Sequence, residues 1–239
     1  MARRGEFPAL GRALDRVLPR VRRDIQTRVL DALTDNLHAV AMTTLLQVFA
    51  GAYVTGVQVG WLVHGAILGA PLNMSPREVR AWRDRAMRHG HLIANRVRVI
   101  AEREPTVAEL RQHIVKAGES SVWTGQDDAG EHVATLAEAA WKEWVRAWPR
   151  TEHRDHHDAL EGVVIPEEDH FTLPGGANAG AQVYGPRDWD AVPDPGEWLN
   201  CGHALAYHRD VTEEDLERTR RGVGVVYRPP TRSAVYAAR

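Results

Sequence analysis

A long uncharged stretch limits the folds open to this chain more than any other feature of its sequence. No Asp, Glu, Lys or Arg occurs between Asn36 and Pro76. The part from Ala39 to Leu68 is long enough to cross a bilayer as one helix, which needs about 20 apolar residues. Such a stretch has to be covered by a membrane, by the rest of the chain or by other subunits.

The composition of this stretch favours burial in protein over a membrane span. Its glycines have the small-residue spacing that lets helices approach closely, at Gly56, Gly60, Gly65 and Gly69. Polar residues lower its hydropathy below that of a Leu-rich span, at Thr43, Thr44, Gln47, Thr55, Gln58 and His64. We therefore expect a helical hairpin that is buried or faces an oligomer interface. A membrane-active protein that uses residues 39–68 is the alternative.

Periodic apolar residues predict a basic helix ahead of the uncharged stretch. They recur every three or four positions from Phe7 to Leu33, and Pro19 is expected to kink or divide this helix. Between residues 3 and 28, eight arginines occur with three acidic residues. DNA or an acidic protein could bind there, although a solvated helix face is the simpler interpretation. The net charge of −2 argues against a general nucleic-acid coat.

Two capping boxes predict helices after the uncharged stretch. The box at Ser75 predicts an arginine-rich helix to about Arg103, and the box at Thr106 opens another helix that Gly118 can end. Residues 125–130 are interpreted as a turn, and residues 131–140 as a further helix. The tryptophans that follow belong to its continuation or to a short strand: Trp141, Trp144 and Trp148.

After Pro149 the composition changes to glycine-rich loops with few periodic stretches. We predict an α+β chain, mostly helical at first and then small, loop-rich and α+β, with a helix near residues 152–160. The predicted parts are a helical domain at 1–148 that contains the uncharged helical segment 36–76, a small domain at 149–211, and a C-terminal part at 212–239. That last part has a short helix, residues 212–221, and an extended arm that docks on a neighbour.

Histidine, acidic and cysteine residues near 152–158 and 200–208 could bind a metal. Imidazole, thiolate and carboxylate are zinc ligands. The spacing does not match a zinc knuckle, because Cys201 and His203 are separated by one residue and no second pair is defined. We therefore predict no cofactor, with a structural zinc on His157, Cys201 and His203 as an alternative. Cys201 is the only cysteine, so no disulfide forms within the chain.

Residues of the same region could instead form the active site of a metal-dependent nuclease of the HNH type. In such a site a histidine is the general base, an asparagine orients it, and a second histidine helps to hold a divalent metal. His156 or His157, Asn200 and His208 occur in this order. Twelve histidines make such an order common by chance, and the usual glycine-loop, serine-elbow and His-Glu-x-x-His signatures are missing. The sequence therefore favours a protein that is not an enzyme.

Four motifs occur in order between residues 140 and 208. They are Lys-Glu-Trp at 142–144, Arg-x-x-His-x-x-Leu-Glu-Gly at 154–162, Tyr-Gly-Pro-Arg-Asp at 184–188 and Asn-Cys-Gly-His at 200–203. This set resembles the Mu F-like head morphogenesis family, the minor head proteins of tailed bacteriophages. Glu161 and His203 stand where that family has Asp and Cys. On this resemblance the motif residues are structural: Arg154, His157, Leu160, Gly162, Asn200, Cys201 and His203.

The resemblance implies a structural protein of the virion. It implies a role in head assembly near the portal vertex, with an influence on DNA packaging or ejection. The implied partners are the portal protein and the major head protein within a multi-chain assembly, with packaged DNA on the Arg-rich helices. No apolar run with a small-residue cleavage site follows Met1, so we expect no signal peptide. We expect the chain in the host cytoplasm during assembly and then in the head interior or at the portal vertex.

Overall fold

Long helices come first and short strands follow, which confirms the predicted α+β class. The structure is a computed structural model that describes residues 7–31, 33, 42–103, 105–147, 154–188, 191–193 and 201–221. Its elements in chain order are α1 (Pro8–Ile25, continued by a π-helical segment, Gln26–Leu30), α2 (Met42–Leu68), α3 (Pro76–Ala101), α4 (Val107–Leu136), β1 (Trp141–Arg146), α5 (Asp155–Asp158), β2 (Val164–Pro166), β3 (Phe171–Thr172), β4 (Gln182–Val183), β5 (His203–His208) and α6 (Glu213–Arg221).

The α1 helix buries one apolar face, as its periodicity predicts. Leu10, Leu14 and Ile25 are fully buried on that face. The helix continues through Pro19, so the predicted division there is wrong. Pro19 is exposed and therefore does not displace a packed neighbour. The change in helical geometry comes later instead, in the π-helical segment.

The described part of the uncharged stretch contains one long helix, α2, in place of the predicted hairpin, and one side of α2 is buried. α2 packs against α1, α3 and α4. It ends only at Gly69, whose φ of 67° lets the Ala70 amide donate to the Gly65 carbonyl at 3.0 Å. Within the described residues, α2 alone is long and apolar enough to cross a membrane. Its packing on three helices is also that of a core helix.

Both capping boxes form with both of their hydrogen bonds. The Glu78 amide donates to Ser75 Oγ at 3.2 Å, and the Ser75 amide donates to the Glu78 carboxylate at 2.6 Å. The same pair of bonds joins Thr106 and Glu109, at 3.2 and 2.8 Å. The predicted starts of α3 and α4 and the predicted end of α3 near residue 103 are confirmed.

The α4 helix runs unbroken for 30 residues, so the predicted end at Gly118 and the turn at 125–130 are wrong. The glycines of this segment lie against other helices. A Cβ on Gly125 would overlap the carbonyl oxygen of Tyr53 in α2, and a Cβ on Gly56 would overlap that of Val122 in α4. The glycines therefore let two helix backbones touch, and tertiary packing keeps them helical.

The strands form a three-stranded antiparallel sheet, in the order β2-β1-β5, and a separate β3-β4 pair. β1 resolves the ambiguity of the tryptophan segment in favour of a strand. In its register Lys142 pairs with Ile165 on one side and with Tyr207 on the other. β1 ends before residue 148, and both of its partner strands follow that residue. The division of the chain into domains stays a prediction.

The sheet and the helices share their apolar cores. One core cluster joins Leu10 of α1 to Val145 of β1 and Ala204 of β5. The predicted helix at 212–221 is confirmed as α6, where Thr219 Oγ1 accepts from the Val164 amide at 2.9 Å. The predicted arm at 222–239 lies outside the described residues.

Candidate functional site

Three of the predicted motif residues meet in one buried cluster. Nδ1 of His157 lies 3.3 Å from Sγ of Cys201, and that sulfur lies 3.5 Å from Nδ1 of His203. The three residues are 0%, 3% and 0% exposed, respectively. The structure thus brings the histidine turn against the cysteine segment, 44 positions along the chain.

The motif at 154–162 positions His157 through a tight backbone turn. The carbonyl of Arg154 accepts from the amides of His157 and Asp158, at 2.9 and 3.0 Å, which forms the single turn of α5. Leu160 is fully buried in the core. Gly162 has a φ of 80°, and its amide donates to the Trp144 carbonyl at 2.8 Å. A left-handed conformation at this point favours glycine, so the turn closes onto β1.

Trp144 of β1 forms the apolar wall of the cluster. It is fully buried, and its ring centroid lies 5.6 Å from that of His157 and 5.8 Å from that of His203. Phe171 packs edge-on against the Trp144 ring, with the two ring centroids 5.2 Å apart. These aromatic contacts shield the histidines from water and fix their ring planes.

An acidic residue holds the far side of His203. Nε2 of His203 lies 2.7 Å from Oε1 of Glu161, and Nε of Arg146 donates to the same oxygen at 2.7 Å. Burial raises the pKa of Glu161, but the bonds from His203 and Arg146 outweigh it and leave this pKa below its usual value. An ionised carboxylate only accepts, so in its neutral form His203 donates from Nε2 and directs the lone pair of Nδ1 at the sulfur.

Arg187 connects the cluster to α4; it lies in the motif at 184–188 but was not among the predicted site residues. Its guanidinium donates to both carboxylate oxygens of Asp127, at 2.7 and 3.1 Å. It also donates to the carbonyls of Cys201 at 3.2 Å and His203 at 2.7 Å. The Arg187 side chain is 2% exposed, and its backbone has a φ of 66°. Asp127 falls in the segment that was interpreted as a turn. The sequence therefore did not indicate that this residue lies on a helix facing the sheet.

A cleft of about 450 Å³ lies beside this ion pair, between α3, α4 and the loop at 184–188. Arg85 of α3 lies 3.1 Å from the Asp128 carboxylate, which also accepts from the hydroxyl of Tyr53. Burial raises the pKa of Asp128 and of Glu131. Acidic and basic groups here partly neutralise one another, and His157, Cys201 and His203 do not line the cleft.

Lys142, the first residue of the β1 motif, has a buried amine. It is fully buried, and its Nζ lies 3.1 Å from the centroid of the Tyr184 ring. Among the described residues Nζ has no hydrogen-bond partner. Burial lowers the pKa of Lys142 to about 7, although acidic neighbours led by Glu167 oppose this. The Lys-x-Trp pattern therefore places both of its side chains in the interior, two positions apart on one strand face.

The residues of the predicted nuclease pattern do not all meet. His156 lies beside His157, with ring centroids 4.5 Å apart. His208 instead bonds to Glu143 at 2.9 Å. It is five positions from His203 on β5, roughly 16 Å at the rise of a strand. Asn200 lies outside the described residues.

Comparison with known proteins adds no relative. No family model matches the sequence, and no curated protein or solved structure matches the chain significantly. The resemblance to the Mu F-like family therefore stays a prediction that depends on the ordered motifs.

Proposed function

We propose that this chain is a minor head protein of a tailed bacteriophage that acts structurally in head assembly near the portal vertex and is not an enzyme. The observation that supports this most is the burial of the motif. Arg154 starts the turn that carries His157, Leu160 enters the core, Gly162 closes the turn, and the cysteine segment packs onto it. Motif residues with these roles determine the fold of a protein and do not carry out a reaction.

Burial of the cluster also argues against the nuclease alternative. A nuclease metal has to contact the scissile phosphate, and its general base has to reach the attacking water. Of the histidines in the predicted pattern, His157 is 0% exposed and packs against Trp144, and His208 is bonded to Glu143. A nucleic-acid strand cannot reach the His157 ring unless the fold opens.

The exposed side of α3 fits a protein partner. This helix carries seven arginines and two acidic residues. Between its exposed arginines lie Met87, Leu92 and Val99, which are 49%, 50% and 46% exposed. Arginine and methionine beside apolar side chains are typical of interface centres. We propose that this side of α3 binds the portal or the major head protein, with packaged DNA as a further partner of the basic helices.

The test is co-assembly with the head proteins of the same genome. The chain is expressed with the portal and major head proteins, and particles are separated by sedimentation. We expect the chain to sediment with procapsids in few copies. A Met87→Asp/Leu92→Asp variant should remain at the top of the gradient, while Leu62→Asp, an exposed apolar position on α2, should co-sediment like the wild type. A wild-type chain that stays free of particles would overturn the proposal.

A nicking assay tests the opposing function. Purified wild-type chain is incubated with supercoiled plasmid and magnesium or manganese. We expect no nicking above the level of a mock purification. Nicking that disappears in His157→Ala and persists in the exposed control His170→Ala would replace the structural proposal with the enzymatic one.

A further inference from the structure

We propose that His157, Cys201 and His203 bind one zinc ion that cross-links the histidine turn to β5. Two imidazole nitrogens and one thiolate form a donor set that Zn²⁺ prefers. The three ligand atoms lie within 4.8 Å of one another. Both histidines present Nδ1 to the same sulfur, so the three donors converge on one point.

The distances match those of a tetrahedral site. Zn–N bonds of about 2.05 Å and Zn–S bonds of about 2.3 Å place nitrogen and sulfur about 3.6 Å apart across a tetrahedral angle. The two nitrogen–sulfur distances in the protein are 3.3 and 3.5 Å. An ion therefore enters with small movements of the rings, and the described residues supply three of its ligands.

The far-side partner of His203 also fits a zinc ligand. Nε2 of His203 lies 2.7 Å from Oε1 of Glu161, while Nδ1 of the same ring faces Sγ of Cys201. Zinc binding would release the Cys201 proton. A carboxylate behind a ligand histidine is also the usual outer partner in zinc sites.

The surroundings explain what a zinc ion would contribute. The strands described between the turn and β5 are short: β2 has three residues, and β3 and β4 have two each. Such strands supply few ladder hydrogen bonds, so a bond between Cys201 and His157 across 44 positions would stabilise the region strongly. The site does not depend on the role proposed for the chain in the phage head.

Metal content of the purified chain is the first test. The full chain is produced in zinc-replete cells and analysed by mass spectrometry for metals. We expect one zinc per chain in the wild type and in the exposed control His170→Ala, and strong loss in Cys201→Ser and His203→Ala. His203→Cys should keep the metal, because a thiolate can replace the imidazole as a ligand. Retention in His203→Cys separates ligation from a purely structural need for histidine.

Cobalt replacement keeps the test valid if a variant does not fold. The wild-type chain is stripped with a chelator and titrated with Co²⁺. We expect tetrahedral d–d bands and a thiolate-to-cobalt charge-transfer band at one equivalent, and a thermal midpoint that falls on stripping and recovers with zinc but not with magnesium. No bound metal in the wild type, together with no cobalt bands and no change of midpoint, would overturn the proposal.

Discussion

The α2–α4 contact and the region around β5 are stabilised in opposite ways. Between the helices, Gly56 and Gly125 bring two backbones into contact, so shape and volume decide the fit. Around β5, Arg187 bonds to one carboxylate and two carbonyls in the interior, so charge and hydrogen bonding decide it. The first region should therefore respond to added volume, and the second to lost partners.

Arg187→Met gives the strongest test of this contrast. The change leaves the Asp127 side chain, which is 18% exposed, opposite no cation, and breaking a pair whose arginine is 2% exposed costs up to about 3–5 kcal/mol of unfolding free energy. Urea denaturation measures the loss. Arg22→Met is the matched control, because Arg22 also pairs with an α4 carboxylate, that of Glu119, but is 53% exposed and should change stability by about 1 kcal/mol or less. Equal losses in the two variants would break the contrast.

His64 is a polar residue inside the helical contact, and its titration sharpens the comparison. It is 1% exposed and accepts from the Gln126 side-chain amide at 3.0 Å. Burial lowers the pKa of His64 from 6.5 to about 4. The folded pKa is below the unfolded one, so the stability that neutral His64 allows is complete above about pH 6.5 and is lost as the pH falls towards 4.

The loss at His64 should reach about 3 kcal/mol, since one pKa unit corresponds to about 1.36 kcal/mol. Urea midpoints of the wild type and of His64→Gln are compared between pH 7 and pH 4. We expect the wild type to lose more stability than the variant over this range. His89, whose pKa burial also lowers to about 4, is present in both chains and cancels. Parallel curves would show that His64 is not held neutral.

Gly56→Ala tests the dependence on volume. The added methyl would overlap the Val122 carbonyl, and overpacking of this kind costs about 1–3 kcal/mol. Gly51→Ala is the matched control on the same helix, because a Cβ there meets nothing within 4 Å. It should stabilise the chain by about 0.5–1 kcal/mol through helix propensity. Opposite signs for these two changes in a denaturation experiment would support close backbone contact, and equal signs would contradict it.

Ser75→Ala should have the smallest effect. It removes the side chain that caps α3 and should cost about 1 kcal/mol. Thr135→Ala is its control, since Thr135 Oγ1 donates only to a carbonyl within α4, at 3.0 Å on an exposed position. That change should alter stability by less than about 0.5 kcal/mol. Thermal or chemical denaturation distinguishes the two.

Features that depend on near neighbours in the chain were predictable from the sequence. The capping boxes at Ser75 and Thr106 involve residues three positions apart, and both starts are confirmed. Gly118 and Gly125 were misinterpreted, because the same residue ends one helix and lets another pack closely, and only a distant partner decides between these uses. Local pattern therefore predicts where these helices begin, and packing decides where α4 ends.

The candidate site was predictable in its residue types and not in its connections. Histidine and cysteine chemistry is enough to group His157, Cys201 and His203 from the sequence alone. The pair Asp127 and Arg187 is separated by 60 positions, and neither residue belongs to a metal or catalytic signature. An arginine in a short loop has no pattern that indicates an interior position.

The burial of Cys201 gives this protein a built-in reporter. It is the only thiol in 239 residues and is 3% exposed. A thiol-specific reagent therefore reacts only when the strand that follows Cys201 lifts away, and the labelling rate counts those openings. The same rate, measured on the free chain and on the chain with a bound partner, would show how much binding reduces these openings without introducing any probe into the sequence.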